Sequence, residues 1–148
     1  MLKRLFRTDS GDTAGLVLRV LLGAVFIPHG AQKVFGWWGG PGYSGTIAMF
    51  GKMGIPVFFA FLDIVAESLG ALALIAGFLT RLAAFGIFVV MVVAVAMVHF
   101  QNGFFMNWFG QKKGEGFEYH ILACAIAIAL MIKGGGRWSV DAMIGRKG

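Results

Sequence analysis

The side chains able to do chemistry in this 148-residue chain fall into a few groups separated by long apolar runs. His29 and Lys33 stand four residues apart, as do Asp63 and Glu67, so each pair shares one face wherever its segment is helical. His99 closes one apolar run, and Glu118, Tyr119 and His120 open the next. Arg19 and the single cysteine, Cys124, lie inside apolar runs. Histidine, tyrosine and carboxylates can hydrogen-bond a small ligand and carry its protons, and a lysine can neutralise the acids. Three histidines with Glu118 are also donor types that suit zinc, copper or iron. Their spacing contains neither H-x-x-x-H nor H-E-x-x-H, so no metal site is assigned, and haem has less support still. One cysteine leaves no internal disulfide and no Cys-x-x-Cys redox pair in this chain.

The elements that must position these groups follow from composition. The chain is 58% hydrophobic and 14% charged, against about 45–50% and about 25% in an ordinary soluble domain. The apolar share amounts to about 86 residues, enough for four membrane spans of about 20 residues each. Apolar runs extend over Ala14 to Phe35, Ile55 to Phe78, Leu82 to Phe100 and Phe117 to Ile132. The expected fold is therefore all-α: a single membrane domain over residues 1–148 with four transmembrane helices in an antiparallel bundle, spans near 14–35, 55–78, 82–100 and 117–132. The cluster from Gly36 to Gly42 breaks the first helix and carries Trp37 and Trp38, suited to the interface. After it, Ser44 can cap a short interfacial helix with Tyr43, Ile47 and Phe50 on one face. The short link Leu79-Thr80-Arg81 makes the second and third helices antiparallel neighbours, while residues 101–116 form a longer aromatic loop. Small residues at Ala66/Gly70 and Ala73/Gly77 allow close helix packing.

A net charge of +6 does not point to nucleic acid, because the basic residues flank apolar segments and no polar surface accompanies them. Lys3, Arg4, Arg7, Arg81, Lys133, Arg137, Arg146 and Lys147 fall on one side, eight in number, against Lys52, Lys112 and Lys113 on the other. By the positive-inside rule both termini are expected to be cytoplasmic. The basic N-terminus followed by Val20 to Ile27 mimics a secretory signal, but Pro28, His29, Gln32 and Lys33 follow instead of a small-residue cleavage pattern, so an uncleaved first span is expected.

This topology puts His29, Lys33, His99, Glu118, Tyr119 and His120 in the outer half of the bundle, with Asp63 and Glu67 deeper, and these eight form the candidate ligand-binding cluster. Two bare carboxylates one helical turn apart in hydrocarbon repel, so a basic partner from the first helix is required. Arg19 is the expected partner of Glu67 in a buried ion pair, with Lys33 second; a pair of this kind couples the effects of replacing each residue. The plainer readings are that Arg19 and Lys33 snorkel to opposite interfaces and that each lone histidine is merely hydrogen-bonded.

Together these residues resemble the DoxX family of small bacterial membrane proteins. The likeness is carried by Arg19 with Leu22-Gly23-Ala24, His29-Gly30-x-x-Lys33, the stretch Gly36 to Gly42, Glu67 with Gly70, and Gly77-Phe78-Leu79-Thr80-Arg81. It continues through His99 with Gly103-Phe104-Phe105, Glu118-Tyr119, and the segment from Gly134 through Ser139 to Asp141. The resemblance implies a four-helix inner-membrane protein linked to quinone-dependent redox work: a subunit of an oxidoreductase of the thiosulfate:quinone kind, a relative of quinone-detoxification proteins that binds a quinone or small oxidant, or a membrane anchor of an oxidant-defence complex. The chain itself carries no iron–sulfur cysteines and no dinucleotide fingerprint. The cofactor expected is thus none of its own but a quinone, the partners are the bilayer, a redox protein and a second copy of the chain, and no residue is assigned as catalytic. The alternatives are a proton-coupled small-molecule transporter, whose usual acid in the first span is here in the second, and a membrane scaffold for a redox complex.

Overall fold

The first long helix begins where Asp12 accepts the Gly15 N–H at 3.1 Å, and it ends where Gly36 turns left-handed (φ 72) and returns its N–H to the Gln32 carbonyl. In the computed structural model, which describes residues 5–145, this helix is α1, Thr13–Phe35. It is followed by α2, Gly42–Lys52; α3, Val57–Ala76; α4, Thr80–Asn102; α5, Glu118–Lys133; and a last short helix α6, Val140–Gly145. Among the described residues there is no strand. Lys3, Arg4, Arg146 and Lys147, which enter the charge comparison, lie outside the described residues.

Helices α1, α3 and α4 are long and apolar enough to cross a membrane. Helix α5 has 16 residues, about 24 Å at ~1.5 Å per residue. The long helices occupy the expected apolar runs to within a turn at each end. Their shared core is Leu22 and Phe26 from α1, Ala71 and Leu74 from α3, Ile87 and Met91 from α4, and Ala127 and Leu130 from α5, with smaller alanines between.

Two local expectations change. Helix α2 starts at Gly42 behind Pro41, whose φ of −73 suits a helix entry, so Ser44 lies inside the helix and does not cap it. Thr46 anchors α2 instead, its hydroxyl donating to the carbonyls of Gly42 at 2.8 Å and of Lys33 at 3.3 Å. The tight contact between α1 and α3 likewise runs through other glycines than those expected. A Cβ at Gly23 would stand 2.7 Å from the Ala71 carbonyl oxygen, and one at Gly30 would strike the Glu67 carbonyl and lie 2.8 Å from Ser68 Cα. A Cβ at Gly70 would make only an ordinary contact, 3.7 Å from the Val65 carbonyl oxygen, and Gly77 is required for its left-handed φ of 68 at the end of α3 and for its close approach to Ser139.

At the base, where α1 and α4 begin and α3 and α5 end, the helix termini are capped by side chains from elsewhere in the chain. The Arg19 guanidinium, 2% exposed, donates to five carbonyls: Nε to Gly135 at 2.8 Å, Nη1 to Leu74 at 3.1 Å and to Ile75, and Nη2 to Arg137 and Trp138, each at 3.1 Å. Leu74 and Ile75 belong to the last turn of α3, where the Leu74 carbonyl also accepts the Gly77 N–H at 3.1 Å and the helix dipole favours a cation. Arg81 serves α5 in the same way, its Nε donating to Met131 and its Nη2 to Ile132, both at 2.9 Å. Asp141 caps α4, accepting the N–H groups of Leu79 at 2.7 Å and Thr80 at 2.9 Å. These bonds hold two strained residues in place, Leu79 at φ 47 and Trp138 at φ 54.

Replacing Arg19 by Lys keeps the charge but offers three donors for five carbonyls, so a loss of about 2 to 4 kcal/mol is expected as a lowered melting temperature in detergent; an unchanged melt contradicts the capping role. Asp12 outside the first span provides a second check. The Lys133 ammonium at 2.9 Å and the Gly15 N–H hold its carboxyl below the ordinary value of 3.8. Because the folded value lies below the unfolded one, this pair stabilises the fold above about pH 4 and is lost as pH falls through the folded value. Melting temperature should therefore fall on acidification, and less so in Asp12→Asn.

Candidate functional site

Lys33 is the cation that the two acids share. Its ammonium lies 2.5 Å from Asp63 Oδ2 in a hydrogen-bonded ion pair and 2.7 Å from Glu67 Oε2. This corrects the expected pairing of Glu67 with Arg19. The arginine sits near the base, where five carbonyls consume its donors, and Lys33 comes from the far end of the same helix. A point-like ammonium on a flexible stem can lie between two carboxylates, whereas the planar guanidinium suits an array of carbonyls.

Glu67 lies in a π-turn, Ala66–Gly70, set within α3, and His99 ends a second one, Val95–His99, in α4. Such turns insert a residue into a helix and re-aim its side chains, and they occur often at functional sites. The backbone at Glu67 is also where Gly30 lets α1 approach most closely, which brings Lys33 to the acids.

These groups line a cavity of about 670 Å³. The structure brings seven of the eight expected residues to it: His29, Lys33, Asp63, Glu67, His99, Tyr119 and His120. The eighth, Glu118, is directed elsewhere. Its Oε1 accepts the Met106 N–H at 3.2 Å and the Trp108 indole N–H at 3.1 Å, which fixes the aromatic loop, and Glu115 lines the cavity in its stead. The His99 and His120 rings lie against each other, tilted by 43° with centroids 4.1 Å apart, and His99 Nδ1 meets the Glu115 carbonyl at 2.9 Å. Helix α2 forms the roof, with the Phe50 ring 5.5 Å from the Lys33 ammonium.

Two polar atoms of this lining are buried with no hydrogen-bond partner among the described residues, the Tyr119 hydroxyl and His120 Nδ1, while Glu67 Oε2 has the Lys33 ammonium at 2.7 Å. Buried polar atoms without partners are costly, and two on one cavity mark a place for a ligand that completes them. The walls between are apolar and rich in methionine, with Met49, Met53, Met91, Met97 and Met106 among them. Sequence reasoning passed over these methionines and Glu115. The methionines lie in or beside the apolar runs at the depth of the cluster, but methionine is so common in apolar cores that position alone does not single them out. No group of three His, Cys, Asp or Glu side chains that could hold a metal ion occurs among the described residues.

The ion cluster yields a test by double-mutant cycles. Lys33→Met and Glu67→Gln should couple by about 1 to 3 kcal/mol in detergent melts, while Arg19→Lys and Glu67→Gln should add to within about 0.5 kcal/mol. Coupling in the arginine cycle and additivity in the lysine cycle would reverse the assignment.

Comparison with known proteins agrees with the likeness carried by the sequence motifs. The family model described as DoxX matches residues 14–100. Over 121 residues the chain is 30% identical to a Bacillus subtilis (strain 168) protein named "Putative oxidoreductase CatD", covering 82% of this chain and 81% of that one. It is 31% identical over 146 residues to "Uncharacterized membrane protein Rv3486" of Mycobacterium tuberculosis (strain ATCC 25618 / H37Rv), covering 93% and 85%. It is 40% identical over 70 residues to "Inner membrane protein YqjF" of Escherichia coli (strain K12), covering 47% and 49%. No solved structure matches.

Proposed function

The chain belongs to the DoxX family of membrane proteins, and on that footing we propose that it is a four-span inner-membrane protein that binds a quinone in its outer-half cavity and works beside a redox partner. The fourth span is α5. Its first turn sets His120 beside His99 near the outer end of α4, and its last turn is capped by Arg81 near the start of α4, so it runs alongside most of its longer neighbour. The end holding Arg7, Arg81, Lys133 and Arg137 is the cytoplasmic one, by the charge rule already given. A second copy of the chain in the membrane is compatible with this arrangement, and so is assembly on a redox complex.

The observation that carries the quinone reading is the pair of unpartnered buried polar atoms, Tyr119 Oη and His120 Nδ1, on an apolar cavity that also holds Lys33 with its two acids. A quinone head presents two carbonyl acceptors on a flat apolar ring. The Tyr119 hydroxyl and the Lys33 ammonium can donate to such acceptors, His120 Nδ1 can donate or accept according to its tautomer, and Asp63 and Glu67 can take up or return protons. Methionine walls suit a polarizable ring. The redox chemistry would be that of the bound quinone, with electrons passed to or from the partner, and the oxidoreductase label of the Bacillus subtilis relative supports this direction.

Titrating the purified protein with a naphthoquinone should show saturable binding that weakens about tenfold in Tyr119→Phe, as loss of one buried hydrogen bond requires. No saturable binding, or binding indifferent to both Tyr119→Phe and Lys33→Met, overturns the reading. Proton-coupled dye uptake into vesicles that is lost in Glu67→Gln, without quinone binding, assigns the cavity to transport.

A further inference from the structure

The cavity wall is not closed on all sides by protein. Among its lining residues, Val25 on α1 is 43% exposed, and Val93, Met97 and Val98 on α4 are 42%, 44% and 37% exposed. These are apolar side chains that face the cavity and the outside at once. Their depth decides what the outside is. Val25 stands about 18 Å along α1 from Thr13, and Val93 about 20 Å along α4 from Thr80, at ~1.5 Å per residue. In helices of 23 residues each, both positions fall well inside the ~30 Å hydrocarbon layer. The medium beyond Val25 and Val93 is therefore acyl chain and not water.

The outer end of the cavity differs. There Met49, Phe50 and Met53 of the roof and its edge cover it, and α2 is tied down by the Thr46 bond to the Lys33 carbonyl. Glu67, 4% exposed, is level with Gly30 on α1, where an added Cβ would strike the Glu67 carbonyl, about 8 Å outward of Val25 at ~1.5 Å per residue. The polar groups thus stand toward the outer face, and the apolar window at Val25 lies deeper in the bilayer.

From this geometry we infer that the cavity opens sideways into the membrane between α1 and α4, and that its ligand is a lipid-phase amphiphile, with a hydrogen-bonding head on Glu67, Tyr119 and His120 and an apolar tail leaving through the window at Val25 and Val93. The inference rests on the quinone reading and narrows it to tailed, membrane-borne quinones as against small water-borne ones. It also assigns Val25 and Val93 as residues that set specificity for the tail without touching the head.

The probes are a naphthoquinone with no tail and the same ring bearing an isoprenoid tail, titrated against the protein in nanodiscs and compared after correction for partition into empty nanodiscs. The tailed probe should bind at least about tenfold more tightly, the equivalent of two buried methylenes. Val25→Trp and Val93→Trp, each at an exposed site and each checked by its melt, should weaken the tailed probe by about tenfold more than the tailless one and so remove that margin. Val92→Trp serves as the control, since Val92 is 46% exposed but does not line the cavity; it should change neither affinity. Equal binding of the two probes, or window variants that weaken both alike, overturns the inference and leaves the quinone reading standing. Binding of neither probe by the unaltered protein removes the quinone reading, and this inference with it.

Discussion

Hydrocarbon does not hydrogen-bond, so every backbone carbonyl and every charge placed in it must find a partner inside the protein. In this chain that constraint is met by dividing two cations of one helix between two kinds of acceptor. Arg19 serves only carbonyls, and Lys33 serves only carboxylates among side-chain acceptors. Each side chain suits its task, the guanidinium as a rigid fork with five donors and the ammonium as a small charge that can sit between two acids. Because the two lie fourteen residues apart on α1, roughly 21 Å at ~1.5 Å per residue, the same helix carries a structural end and a site end.

At the structural end the segment after Gly134 folds back onto the base, Arg19 binds its carbonyls, and Asp141 and Arg81 cap α4 and α5. Reciprocal capping of this sort fixes the helices at the base. At the site end α1 and α3 stay in close contact at Gly30, one lysine bridges two carboxylates, and the two π-turns, at Glu67 and before His99, turn side chains toward the space between helices.

Much of this was legible in the sequence, for identifiable reasons. Apolar runs long enough to cross a bilayer mark helices whatever their packing, and Gly36 marks the end of the first because a left-handed cap there admits little else. The depth of His29, Lys33, His99, Tyr119 and His120 follows from counting residues along those runs. The partner of Arg19 was not legible. Its acceptors Gly135, Arg137 and Trp138 lie more than a hundred residues away, and a carbonyl carries no residue identity for a pattern to detect. A hint existed in Gly134-Gly135-Gly136, where a side chain at Gly135 would come within 2.7 Å of Ser139 Cβ. Glu118 was misplaced for a related reason: its neighbours Tyr119 and His120 do face the cavity, but one step along a helix rotates a side chain by about 100°, and this step turns it to the loop.

The division of the two cations can be seen directly in an experimental density map of the protein in lipid nanodiscs. The Lys33 ammonium should lie within ion-pair distance of both Asp63 and Glu67, and the Arg19 guanidinium on the carbonyls of residues 74, 75, 135, 137 and 138. A map with Arg19 reaching Glu67, and Lys33 extended to the membrane surface, would contradict that division.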